Sequence, residues 1–156
     1  MSPTIREEIK QTRPFRTKSQ EATVALMRTA HLLRRKVEAV CAAEGITSQQ
    51  YNVLRILRGA RAPLPTMEIS DRMIETAPGI TRLICTLESA GHIRREQWPG
   101  DRRQVLCQIT PAGLRLIEKL EPAMNQLDDE TAGTLSEEQI ESLLGILDVI
   151  RAHLQP

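Results

Sequence analysis

The sequence predicts a mainly α-helical chain with one small β-hairpin, an α+β architecture. Three observations carry this reading. Apolar residues recur at three- and four-residue spacing along most of the 156 residues, and the period falls to two only between about 93 and 109. Aromatic residues make up 2% of a chain that is 40% hydrophobic, so the core must rest on Leu, Ile, Val, Met and Ala, which favour helices.

Residues 1–18 mix charge with Pro3 and Pro14, show little periodicity, and read as an extended arm. A helix is expected over 19–45. Leu26, Leu33, Val37, Val40 and Cys41 form its stripe, with Ala22 and Ala30 beside it and Gly45 as the stop. Thr47 and Gln50 fit a capping box that opens a second helix through Tyr51, Val53, Leu54 and Leu57. Gly59, Pro63 and Pro65 then break the chain. Thr66 is placed to cap a short helix containing Met67, Ile69 and Met73, and the next helix is expected to start near Ala77 with Pro78 in its first turn. Ile80, Leu83, Ile84 and Leu87 form its stripe, and Ala90-Gly91 end it. Two short helices joined by a tight turn describe a helix-turn-helix.

Residues 93–97 and 104–109 read as two strands around a tip at 98–103 that contains Pro99-Gly100-Asp101 and two arginines. A basic hairpin directly after a helix-turn-helix is a wing. Thr110 and Pro111 then supply an N-cap and first residue for a helix carrying Leu114, Ile117, Leu120, Met124 and Leu127. After Gly133, a second capping box (Ser136, Gln139) opens a last helix with Ile140, Leu143, Leu147, Ile150 and Leu154 at helix–helix spacing. The expected fold is therefore a winged helix-turn-helix at 46–110, flanked by dimerisation helices at 19–45 and 111–156 and preceded by the arm at 1–18.

Composition narrows the function. No apolar run approaches the roughly 18–20 residues of a spanning helix, and the N-terminus has no apolar stretch of signal-peptide type, so a soluble cytoplasmic protein without a membrane partner is expected. Cys41, Cys85 and Cys107 are an odd number without close pairing, which speaks against a disulfide framework. His31, His92 and His153 make no metal-ligand spacing, and no phosphate loop, nucleophile elbow or Cys/His pair suggests catalysis. No enzyme, metal or cofactor is expected. Nine Lys/Arg face five Asp/Glu in 1–54 and nine face six in 55–110, against three facing nine in 111–156. A basic front and an acidic rear suit a polyanion on one side.

Four segments in register, 46–55 (ITSQQYNVLR), 80–84 (ITRLI), 87–91 (LESAG) and 101–113 (DRRQVLCQITPAG), resemble the MarR family of transcriptional regulators. Order and spacing match from about residue 19 to 154. The resemblance implies a homodimer built from the first helix, the helix after Thr110 and the last helix. The apolar stripes agree, since a small winged helix alone does not cover them; an intramolecular helical layer is the alternative. It also implies a sequence-specific DNA-binding regulator, with repressor as the default, acting on an inverted-repeat operator.

For DNA contact the reading helix offers Thr76, Ala77, Pro78, Gly79 and Thr81, all short enough for close approach, followed by Arg82. The wing offers Arg102 and Arg103 to the minor groove. In the family the aspartate of this motif pairs with an arginine, which here means Asp101 with Arg82 or Arg103. Arg94 and Arg95 at the hairpin base are phosphate contacts or solvated charge. Trp98 packs on the hairpin or meets the sugar-phosphate edge. Family members commonly respond to small aromatic acids in a cleft between the dimer helices and the DNA-binding lobe; here Arg28, His31 and Tyr51 are the expected lining of an anion-accepting site. The alternatives are a cysteine-based redox regulator and a winged helix used for protein interaction.

Overall fold

The computed structural model describes residues 3–155. Seven helices and three short strands follow in the order α1 (Ile5–Glu8), α2 (Lys18–Ala42), α3 (Ser48–Ala60), β1 (Leu64–Pro65), α4 (Thr66–Asp71), α5 (Ile80–Ser89), β2 (Ile93–Trp98), β3 (Asp101–Ile109), α6 (Pro111–Ala132) and α7 (Glu137–Leu154). This is the winged helix-turn-helix that the periodicity predicts. Among the described residues no helix is long and apolar enough to cross a membrane.

Side-chain caps set most helix starts. Thr17, Thr47, Thr110 and Ser136 each accept from the amide three residues on, and Gln50 and Gln139 close reciprocal capping boxes. The expected arm departs from an extended chain at one place. Thr4 and Glu7 form a third capping box and fold Ile5–Glu8 into one helical turn, tied to α2 by Glu8 and Arg28 at 2.7 Å. Thr66 is not a cap: the chain enters α4 through Pro65, and Thr66 is the first helical residue.

β1 is a strand that periodicity does not reveal. Its two residues pair with Cys107 and Leu106, making a three-stranded antiparallel sheet in the order β1-β3-β2. Pro65 is tolerated because the strand lies at the sheet edge. The core gathers Val53, Leu54 and Leu57 of α3, Ile69, Ile84, Leu87, Ile93, Cys107, and Ile117 and Leu120 of α6. α2 and α3 pack on α6, and α5 packs on α3 and β2.

α7 has no buried residue and leaves Leu143, Leu144, Ile146, Val149 and Leu154 exposed, as α2 does Leu26 and Met27. It therefore does not close over its own chain as an intramolecular layer.

Candidate DNA interface

The recognition helix begins later than its sequence suggests. Pro78 lies in the turn before it, and the N-cap is Gly79 at φ +90°, a left-handed conformation that glycine adopts without strain. Gly79 has no side chain to cap the first turn, so amides there remain open to an acceptor from outside. Thr76, Pro78, Thr81 and Arg82 are exposed. Ala77 is 6% exposed, a correction to its expected place in the interface. It is the apolar anchor that seats the loop ahead of α5. Thr76 likewise caps nothing. Beneath them Ile84 and Leu87 bury the inner face of α5.

The wing is a hairpin with an irregular tip. The ladder pairs Gln97 with Val105 but Trp98 with Asp101, so Arg102, Arg103 and Gln104 stand opposite no residue of β2. Such a bulge re-aims side chains out of the ladder. It also costs the Arg103 amide its partner, and Asp101 answers that loss: its Oδ1 accepts from the Arg103 amide at 3.0 Å. This differs from the arginine side-chain pair that the family pattern implies. Asp101 holds the backbone of the bulge, while the exposed guanidiniums of Arg82, Arg102 and Arg103 have no carboxylate partner among the described residues.

Arg94 and Arg95 divide. Arg94 is exposed and loosely held by Gln108 at 2.9 Å and Glu96 at 3.3 Å. Arg95 donates to Glu88 of α5 at 2.6 Å, and its amide bonds the same carboxylate at 3.2 Å. The carboxylate pushes the Arg95 pKa up further and fixes the side chain as a clamp between wing and helix, which removes it from the free cations. A second clamp lies at the wing's return. Thr110 donates from Oγ1 to the Gly91 carbonyl at 2.6 Å and from its amide to the His92 carbonyl at 3.0 Å. Gly113 then passes so close to the His92 carbonyl that a β-carbon there would overlap it.

Between α2, α3, α6 and the loop before α5 lies a cleft of about 600 Å³. Ala30, Leu33 and Val37 give it an apolar wall, and Tyr51, Arg34 and Arg55 reach it from two helices. The Arg55 guanidinium stands over the Tyr51 ring at 5.9 Å. Burial pushes the Tyr51 phenol up, so it stays protonated at neutral pH. Arg34 pairs with Glu75 of the loop at 2.7 Å, and Asn52 accepts from the Ile74 amide at 2.9 Å.

Comparison with known proteins decides the family. The MarR family model matches residues 46–105. The regulator PapX of Escherichia coli is 33% identical over 112 residues, 71% of this chain and 68% of that protein. The MarR transcription factor of Planctomyces limnophilus is also 33% identical, with a TM-score of 0.67 over 87% of this chain and 99% of that one. The chain belongs to the MarR family. Sco3205 of Streptomyces coelicolor, a MarR-family transcriptional regulator crystallised in complex with DNA, shares the fold at 22% identity. Its TM-score is 0.78, over 91% of this chain and 95% of that one.

Within this MarR-family fold the structure brings Thr76, Pro78, Gly79, Thr81 and Arg82 together at one helix end, and Asp101, Arg102 and Arg103 together at the wing. It does not bring the expected ligand set together. Tyr51 lines the cleft, but Arg28 is engaged by Glu8 and neither Arg28 nor His31 lines it. The cleft face of α2 is Ala30, Leu33, Arg34 and Val37, a clean i, i+3, i+4, i+7 set. Extending that spacing back from Val37 reaches Arg34, and one turn on from Tyr51 reaches Arg55. Cys41 and Cys107 are buried, and burial pushes the Cys41 thiol up to about 11 and the Cys107 thiol upward. Cys85 is half-buried.

Proposed function

We propose that this chain is a homodimeric, sequence-specific regulator that binds duplex DNA and represses transcription in the cytoplasm until a small aromatic or anionic effector occupies the cleft. The observation that carries the DNA reading is the bulge at 102–104. It takes Arg102 and Arg103, which have no carboxylate partner among the described residues, out of the ladder, on a chain whose recognition helix also starts without a side-chain cap. Arg102 and Arg103 suit the narrow, electronegative minor groove, while Thr76, Thr81 and Arg82 suit base edges and phosphates in the major groove. The uncovered apolar residues of α7 and α2 support a second copy as the partner that covers them. An apolar cleft crossed by Arg34 and Arg55 supports a carboxylate-bearing effector.

The test is selection of bound genomic duplexes with the full chain, then footprinting and a salt titration of affinity. An inverted repeat with half-site centres about one helical turn apart is expected. Arg102→Ala should weaken binding to all duplexes and flatten the dependence of log K on log salt. A footprint on one asymmetric half-site would contradict the dimer. An Arg102→Ala affinity that tracks the parent protein across the titration would remove the wing from the interface.

A further inference from the structure

We infer that Trp98 is a DNA-contact residue of the wing, packing its outer indole face against the deoxyribose wall of the groove that Arg102 and Arg103 enter. This rests on the DNA-binding reading above and adds to it an apolar contact that the wing's charges do not supply.

Trp98 is the chain's single tryptophan and closes the ladder at the hairpin tip, opposite Asp101. Its ring lies across the turn: Cε2 and Cζ2 are 3.4 Å from where a β-carbon on Gly100 would stand. The indole thus lies next to Gly100, where a side chain would touch it. The residue is still 43% exposed, because the tip stands clear of the core and Glu96, Gln97, Pro99 and Gly100 around it are exposed as well. A large aromatic ring left this exposed is a poor fit to a tip whose only role is solvation.

The occupant is set by what surrounds the ring. The two acidic neighbours of the ring are engaged, Asp101 by the Arg103 amide and Glu96 by Arg94. The guanidiniums of Arg102 and Arg103 have no carboxylate partner among the described residues, so the free charge at this tip is positive. A minor groove only about 6 Å wide takes guanidinium groups, but an indole beside them would have to unstack base pairs to enter. The sugar-phosphate wall offers the ring an apolar, sequence-independent surface without that cost. An apolar contact releases no counterions, so its loss lowers affinity without changing the salt slope, the opposite of losing an arginine.

The experiment uses the full chain and a duplex recovered by selection, reading acrylamide quenching of Trp98 emission with and without DNA, and affinity across salt. Saturating DNA should lower the quenching constant at least twofold. Trp98→Ala should bind about tenfold more weakly at every salt concentration with an unchanged slope, and Trp98→Phe should lie within about threefold of the parent protein. Circular dichroism and the melting temperature of both variants check folding, and the quenching comparison on the parent protein decides the inference if Trp98→Ala unfolds. An unchanged quenching constant on a DNA-saturated protein overturns the inference, even if Trp98→Ala binds weakly, because the indole would then only brace the turn. Absence of any salt-dependent duplex binding by the parent protein defeats the DNA-binding reading itself, an outcome distinct from binding without protection of Trp98.

Discussion

Asp101 offers a sharp test because the structure gives it a role different from an ion pair. Its half-buried carboxylate holds the Arg103 amide at 3.0 Å and so supports the bulge that carries Arg102 and Arg103. Replacing it with Ala removes one acceptor. The freed amide is at the surface and can take water, so the loss falls below the range for a charge-assisted bond, to about 1 kcal/mol per wing. In a dimer both wings must be ordered on the DNA, which gives about 2 kcal/mol, or roughly 30-fold in affinity. Asp101→Asn keeps an oxygen at the same place and removes a negative charge from beside a polyanion. It should bind at least as tightly as the parent protein, while Asp101→Ala binds about 10- to 30-fold more weakly. Fluorescence anisotropy of a labelled duplex at fixed salt measures both, with melting temperature as the folding control. Equal weakening by Asn and Ala would refute the backbone role and restore a charge pair with an arginine side chain.

Three further outcomes follow from the packing of the fold. Gly113→Ala places a β-carbon 2.8 Å from Ile109 Cγ1 and nearer still to the His92 carbonyl, both on segments held by the sheet. A loss of about 3 kcal/mol in urea unfolding and a fall of roughly 6–12 °C in melting temperature are expected, and an unchanged stability would show that the wing's return can move. Iodoacetamide at pH 8 should modify half-buried Cys85 first, leaving Cys41 and Cys107 until the chain is unfolded. Because burial, with Glu38 adding, raises the Cys41 thiol to about 11, the neutral thiol favours the folded state fully below about pH 9. That contribution is lost as pH rises toward 11, which urea midpoints of the parent protein and Cys41→Ala at pH 8 and 10.5 would show.

Local chemistry was legible where it depends on neighbours in sequence. The capping boxes at Thr47 and Ser136, the Thr110-Pro111 start and the switch to a two-residue period all appear where the residues place them. Thr4 and Glu7 carried the same signal, yet the prolines around that segment masked a single turn. Features set by tertiary packing were not legible. Pro78 suits a first helical turn, but burial of Ala77 pulls the loop inward and leaves Gly79 to start the helix. β1 is too short for any period and exists only because β3 has an open edge. The bulge at 102–104 has no residue signature of its own, so Asp101 was tied to the right motif through the wrong atom. Arg28 and His31 share a face of α2 one turn apart, and neither lines the cleft, whose α2 wall carries Arg34. Which face turns inward depends on packing against α3 and α6, which spacing along α2 does not reveal.

The same contacts decide how the two reading elements move. Arg95 on Glu88, Thr110 on Gly91 and His92, and the close approach of Gly113 join α5, the wing and the start of α6 into one rigid piece. A shift of the recognition helix therefore carries the base of the wing with it. The loop ahead of α5 is held by buried Ala77 and, at the cleft, by the exposed Arg34–Glu75 pair and the bond that the Ile74 amide donates to Asn52. Exposed ion pairs contribute little, about 0–1 kcal/mol. The Arg34–Glu75 pair is thus a weak contact that lies where an anion in the cleft would meet it. On the effector reading proposed above, a carboxylate that takes Arg34 from Glu75 would loosen the loop ahead of α5 while the Arg95–Glu88 contact between that helix and the wing stays in place.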